Sequence, residues 1–153
     1  MYPYWRTGSA GVGMAMLRYY RLLGEKKYKD MLELIYFDTN KKYTIYPGLF
    51  NGLAGLGEFL LDLYRVTNES RHLEGAYRVA TGISLFKIEK KQGLAFPGDM
   101  LRRISCDYGT GGAGIGHFLH RLTHREEVES GFNLDRLFVH HEKVEHGLLT
   151  AGA

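Results

Sequence analysis

Apolar residues fall at helical intervals in most of the chain. Met14, Leu17 and the Leu22/Leu23 pair form one stripe, which predicts a helix from about Ala10 to Leu23 with Gly24 as its stop signal. Lys26 to Ile35 begins polar and ends apolar, with Tyr28, Met31, Leu32 and Ile35 on one face; it reads as a second helix lying outside the first. Phe37 to Pro47 reads as a loop with Asp38, Asn40 and Pro47 as turn residues. Leu56, Phe59, Leu60 and Leu63 predict a helix over 54–64, and Thr67 to Ser70 a turn. Leu73, Ala76, Val79, Ala80 and Ile83 predict another over 71–86, weakened near its end by Gly82. Residues 87–98 read as a polar loop, and 115–122 as a further helix. Beyond Thr123 the pattern fades into a polar, histidine-bearing tail, where Leu134, Leu137, Phe138 and Val144 suit one short helix.

A short phrase precedes three of these helices. It reads Gly8-Ser9-Ala10-Gly11-Val12-Gly13, then Gly52-Leu53-Ala54-Gly55-Leu56-Gly57, then Gly111-Gly112-Ala113-Gly114-Ile115-Gly116. Repetition of this kind marks an array of like units. Glycine in a helix costs roughly 1 kcal/mol relative to alanine, so each copy carries a local penalty that needs a reason. Two reasons are available: backbone angles closed to other residues, or close approach of two backbones. A phosphate-binding loop is the functional alternative, but no strand precedes any copy and no Lys-Ser or Lys-Thr follows one. The fold class expected is all-α, a partial array of about three helical hairpins.

At 153 residues and 44% apolar the chain can bury an ordinary core. A net charge of +3 is too mild to indicate nucleic acid. The one cysteine, Cys106, allows no internal disulfide and fits a reducing compartment. No apolar run approaches the ~20 residues of a membrane span, and no signal peptide is legible at the start, so a cytoplasmic location is expected.

Candidate chemistry lies just ahead of the phrases. Asp107 suits a base and Tyr108 an acid, while Asn51, Arg103 and Thr110 suit substrate contacts. Asp and Thr ahead of a helix more commonly cap it. Cys106 has no nearby base and reads as a buried structural thiol. His117, His120 and His124 share one helix face at metal-site spacing, but His117 falls within the core pattern and the others beside charges.

The segments WRTGSAGVGMAMLRYY, GLFNGLAGLGEFLLDLY and AFPGDMLRRISCDYGTGGAGIGHFLHRL together resemble the lanthionine synthetase C-like family. The likeness is to the cyclase region of class III, kinase–cyclase fusion lanthipeptide synthetases. The resemblance covers residues 1–125, leaving 126–153 as a separate tail. It implies an α,α-toroid with the glycine phrases at its inner ring. It also implies ring closure by addition of a peptide cysteine thiol to a dehydrated serine or threonine, giving lanthionine or labionin. The zinc ligands of the family's metal-dependent branch fall here at Phe50, Gly109 and Thr110, none of which can bind zinc. The expectation is therefore a zinc-independent cyclase with no metal site and no cofactor. By the same comparison this is a C-terminal portion, inactive or weakly active alone. Its partners would be a ribosomal precursor peptide and either the upstream kinase, lyase and cyclase regions or further copies of itself. Two other readings stand beside it: a non-catalytic helical module that binds a peptide or subunit, and an α,α-barrel carbohydrate enzyme. The latter needs two placed carboxylates, for which Asp99 and Asp107 are the candidates.

Overall fold

The computed structural model describes residues 2–128. They form five α-helices: α1 (Ser9–Leu23), α2 (Lys26–Thr39), α3 (Leu53–Thr67), α4 (Ser70–Ser84) and α5 (Gly112–Thr123). α3 occupies the centre and packs against the other four, while α2 lies on α1 and α4 on α3. No helix among the described residues is long and apolar enough to cross a membrane. The tail helix expected over 134–144 lies outside the described residues.

All three phrase-led helices begin in the same way. Their N-caps, Gly8, Gly52 and Gly111, have extended backbone and no capping side chain. The free N–H groups of the first turn are satisfied instead by the loop that leads in. Ser9 and Ala10 donate to the carbonyls of Tyr2 and Pro3, at 2.9 and 3.1 Å. Leu53 and Ala54 donate to Tyr46 and Pro47, both at 3.0 Å, and Gly112 donates to Ser105 at 2.8 Å. Each bond reaches seven positions back, so one loop geometry is used three times.

That geometry decides between the two reasons for the glycines. None in the phrases has positive φ; Gly24 and Gly93 are the described glycines that do. A Cβ at Gly11, Gly55 or Gly114 would instead fall on the carbonyl oxygen of Trp5, Leu49 or Tyr108, each six positions earlier. The last glycine of each phrase acts between units. Gly13 takes the ring of Phe59 from α3, and Gly57 takes the ring of Phe118 from α5. Gly116, the third equivalent, has open space in front of it.

Phe59, Phe118, Leu53, Leu56, Leu60, Ile83 and Ile115 are all fully buried. Each such side chain contributes about 1.5–3 kcal/mol by leaving water. Gly24 and Asn68 adopt left-handed angles and end α1 and α3, each with its N–H bonded to the carbonyl four residues back.

Several expectations change. α2 runs on through Thr39 because Thr39 is fully buried and bonds back to the Ile35 carbonyl, while Ser9 in α1 bonds to Asp38. Gly82 belongs inside α4, since the Lys42 carbonyl passes where its Cβ would stand. The polar loop after α4 contains a short antiparallel hairpin, β1 (Ile88–Lys90) and β2 (Gly93–Ala95), turned at Gly93 with φ 131°. Cys106 is exposed rather than buried. Met31, expected on the apolar face of α2, is also exposed.

Candidate functional site

The three lead-in loops are joined edge to edge. Arg6 N–H donates to the Phe50 carbonyl at 2.9 Å, and Phe50 N–H to the Gly109 carbonyl at 2.8 Å. Trp5 stacks on Phe50 with ring centroids 5.7 Å apart. Where the second and third loops meet, Tyr46, Gly48, Asn51, Gly98, Asp99 and Thr110 line a small open depression. Asn51 and Thr110 thus line the same depression. Arg103 is exposed and lies outside this depression; its carbonyl accepts from Gly98 N–H at 2.8 Å.

Asp107 holds the third loop in shape. Its carboxylate accepts from the Thr110 N–H at 2.6 Å, the Thr110 hydroxyl at 2.8 Å and the Ser105 hydroxyl. The Ser105 bond foremost, then those of Thr110, lower its pKa to about 2. A carboxylate so well supplied with donors is a poor proton acceptor at neutral pH. Tyr108 points another way, its ring 5.8 Å from that of His117. Burial, and then the charge of Glu58, push the Tyr108 hydroxyl above its ordinary value.

His117 leads to a charged group at the interface of α3 and α5. Its Nε2 lies 3.9 Å from Glu58 Oε1, and both atoms are buried without a hydrogen-bond partner. The other Glu58 oxygen pairs with Arg121, which also reaches Asp62 at 2.6 Å. Glu58 and Arg121 are each 1% exposed. Burial raises the Glu58 pKa from 4.5 to about 7, against the pull of Arg121. Burial wins because the guanidinium is shared with Asp62 and Oε1 has no donor. Burial, with Arg121 next, pushes His117 below its ordinary value, so the imidazole is neutral at pH 7.

Reading the residues one at a time misses this group. Aligning the phrases shows it: Met14, Glu58 and His117 each directly follow the last glycine, and Arg18, Asp62 and Arg121 follow four residues later on the same helix face. The Asp62 carboxylate and the Arg121 guanidinium therefore stand at matching positions of α3 and α5.

The expectation of a zinc-independent chain without a metal site is corrected by a second group. Glu33 of α2, and Glu69 and His72 at the start of α4, place three donor atoms within 4.8 Å of one another. These residues offer carboxylate and imidazole donors, a set that zinc accepts. The resemblance pointed only to the loops before the phrases, whereas these donors come from two helices distant in sequence. The His120 and His124 rings lie 4.4 Å apart at the end of α5 and belong to no such three-residue group among the described residues.

Comparison with known proteins fits this architecture. The probable SapB synthase of Streptomyces coelicolor is 29% identical over 114 residues, which is 73% of this chain and 12% of that protein. The chain therefore spans about an eighth of the length of this relative. The sequence profile described as lanthionine synthetase C-like protein matches residues 1–133. The chain belongs to the lanthionine synthetase C-like family.

Proposed function

We propose that the chain is part of a lanthipeptide cyclase, acting on a ribosomal precursor peptide in the cytoplasm, and that its described helices are an arc of an α,α-toroid. Family membership over residues 1–133 carries this reading. The side-by-side packing of α1, α3 and α5 supports the arc, as does the repeated insertion of a phenylalanine against the preceding unit's last glycine.

The reaction adds a cysteine thiol across the double bond of a dehydrated residue. The S–H bond breaks, sulfur bonds to the β-carbon, and the α-carbon gains a proton. It needs a base for the thiol, whose unperturbed pKa is about 8.5, and an acid for the α-carbon. His117 is assigned the base role: it is neutral, and with Nε2 turned to Glu58 its Nδ1 is left for proton exchange. Glu58 is fully buried and acts as a positioning residue, orienting the ring and balancing the charge that His117 gains. Tyr108, half-exposed beside His117, supplies the acid. Asn51 and Thr110 hold the peptide backbone at the neighbouring depression, Arg103 a carboxylate of the peptide, and Asp107 keeps their loop in place.

The test is mass spectrometry of a dehydrated precursor peptide after thiol alkylation, with the chain alone and with the remaining regions of a synthase supplied. Ring closure that falls about 100-fold or more in His117→Asn and in Tyr108→Phe is the expected result. Peptide binding without closure in every combination would favour the binding module instead.

A further inference from the structure

His72 is the most tightly held side chain of the Glu33–Glu69–His72 group. It is 1% exposed and packs edge-on against the Tyr36 ring at 4.9 Å. Its tautomer follows from its neighbours. Thr67 has one hydroxyl proton, which it gives to the Leu63 carbonyl at 2.8 Å. With that proton kept on Leu63, the tautomer that makes the 2.8 Å contact between Thr67 Oγ1 and His72 Nδ1 a hydrogen bond is the one in which Nδ1–H donates to the oxygen. In that tautomer Nε2 carries a lone pair.

That lone pair is buried and has no hydrogen-bond partner. Its near neighbour is Glu69 Oε2 at 4.0 Å, another acceptor. Two acceptors facing each other repel, and a buried acceptor left unpaired is costly. A cation between them removes both penalties. Glu33 stands on the same spot from α2, and its carboxylate and that of Glu69 are joined by the Arg71 guanidinium at 2.5 Å to each. One positive charge therefore serves two negative ones, and the Arg71 bonds run from Nε to Glu69 and from Nη2 to Glu33, leaving His72 Nε2 without a hydrogen-bond partner.

We infer that Glu33, Glu69 and His72 bind a divalent transition-metal ion, Zn2+ being the best fit, in competition with Arg71. Imidazole nitrogen with carboxylate oxygens suits zinc, whereas calcium and magnesium take oxygen alone. Donors around a tetrahedral zinc stand about 3.3 Å apart, for bonds of about 2.0–2.2 Å. The three present atoms lie within 4.8 Å, and the glutamates, 32% and 35% exposed, are free to close the difference. Thr67 supplies the outer hydrogen bond that fixes a ligating histidine. Bound metal would tie α2 to α4 across the two helix pairs. This site is separate from Glu58 and His117 and does not depend on the ring-closure reading.

The experiment is calorimetric titration of the metal-stripped full chain with Zn2+, repeated with Co2+ while following its visible absorption. One Zn2+ per chain is expected, with a tetrahedral cobalt spectrum. His72→Gln should weaken binding about tenfold or more, and Glu33→Gln likewise; the latter, half-exposed, guards against a folding defect in the former. Arg71→Met, which removes the competitor, should tighten binding. Replacing His140, His141 and His146 with glutamine controls for the tail and should change nothing. Binding lost with the tail histidines, unmoved by His72→Gln and Glu33→Gln, or not tightened in Arg71→Met would overturn the assignment.

Discussion

Two groups in this chain have nearly the same composition and opposite surroundings. In each, one arginine joins two carboxylates while a histidine nitrogen stands about 4 Å from one of them. Arg121 joins Glu58 and Asp62, with His117 alongside, at the interface of α3 and α5. Arg71 joins Glu33 and Glu69, with His72 alongside, where α2 meets α4. Arg121 is 1% exposed and Arg71 39%. Burial, helped by the neighbouring Asp62, reverses the sign of the carboxylate shift: Glu58 is pushed up to about 7, whereas Glu69 is lowered, chiefly by its hydrogen bond from Arg71. The same parts give a proton-holding group inside and an ordinary ion pair outside.

Removing the two arginines tests this contrast most severely. Arg121→Met leaves Glu58 buried without its partner and should cost about 3–5 kcal/mol, read by urea denaturation at pH 8. Arg71→Ala should cost no more than about 1 kcal/mol under the same conditions. Equal losses would erase the distinction.

The pH dependence should run in opposite directions. Glu58 binds its proton more tightly in the folded chain than in the unfolded one. Its stabilisation is full below pH ~4.5 and is lost as the pH rises through 7, a change of about 3 kcal/mol that Glu58→Gln should abolish. Glu69 has a lowered folded pKa, so its stabilisation is present above the unfolded value and is lost as the pH falls through the folded one. Denaturation midpoints across about pH 2–8 for the wild type, Glu58→Gln and Glu69→Gln separate the two.

The inner group is buried because the helices stand close, and that can be varied by a single methyl. Gly57→Ala drives a Cβ into the Phe118 ring and should cost about 1–3 kcal/mol. Gly116→Ala meets nothing within 4 Å at the equivalent position and should gain about 0.5–1 kcal/mol from helix propensity. Thermal midpoints of the two variants should therefore move apart.

The helices were legible because their apolar stripes and glycine starts are local signals. Gly24 and Asn68 sit at chain positions where left-handed angles end a helix, and both do so. The end of α2 was not legible, since it depends on Ser9 meeting Asp38 and on where Thr39 is buried. β1 and β2 are three residues each, too short to show alternation. Of the residues singled out before the phrases, Asn51 and Thr110 line one depression. Glu58 and His117 carry a sequence signal only when the phrases are aligned, because each alone looks like a charged residue on a helix. Glu33 and His72 are 39 positions apart and no spacing rule joins them; their meeting is a product of α2 packing near α4.

The account turns on Glu58 holding its proton near neutrality beside His117. The direct measurement is an NMR titration of the chain with 13C at the glutamate side-chain carboxyls, Glu58 being assigned by Glu58→Gln. A midpoint near pH 7 for Glu58, with Glu69 below the ordinary glutamate value, is the expected result. A Glu58 midpoint at or below about 4.5 would make the inner group a plain ion pair and contradict its place behind the base.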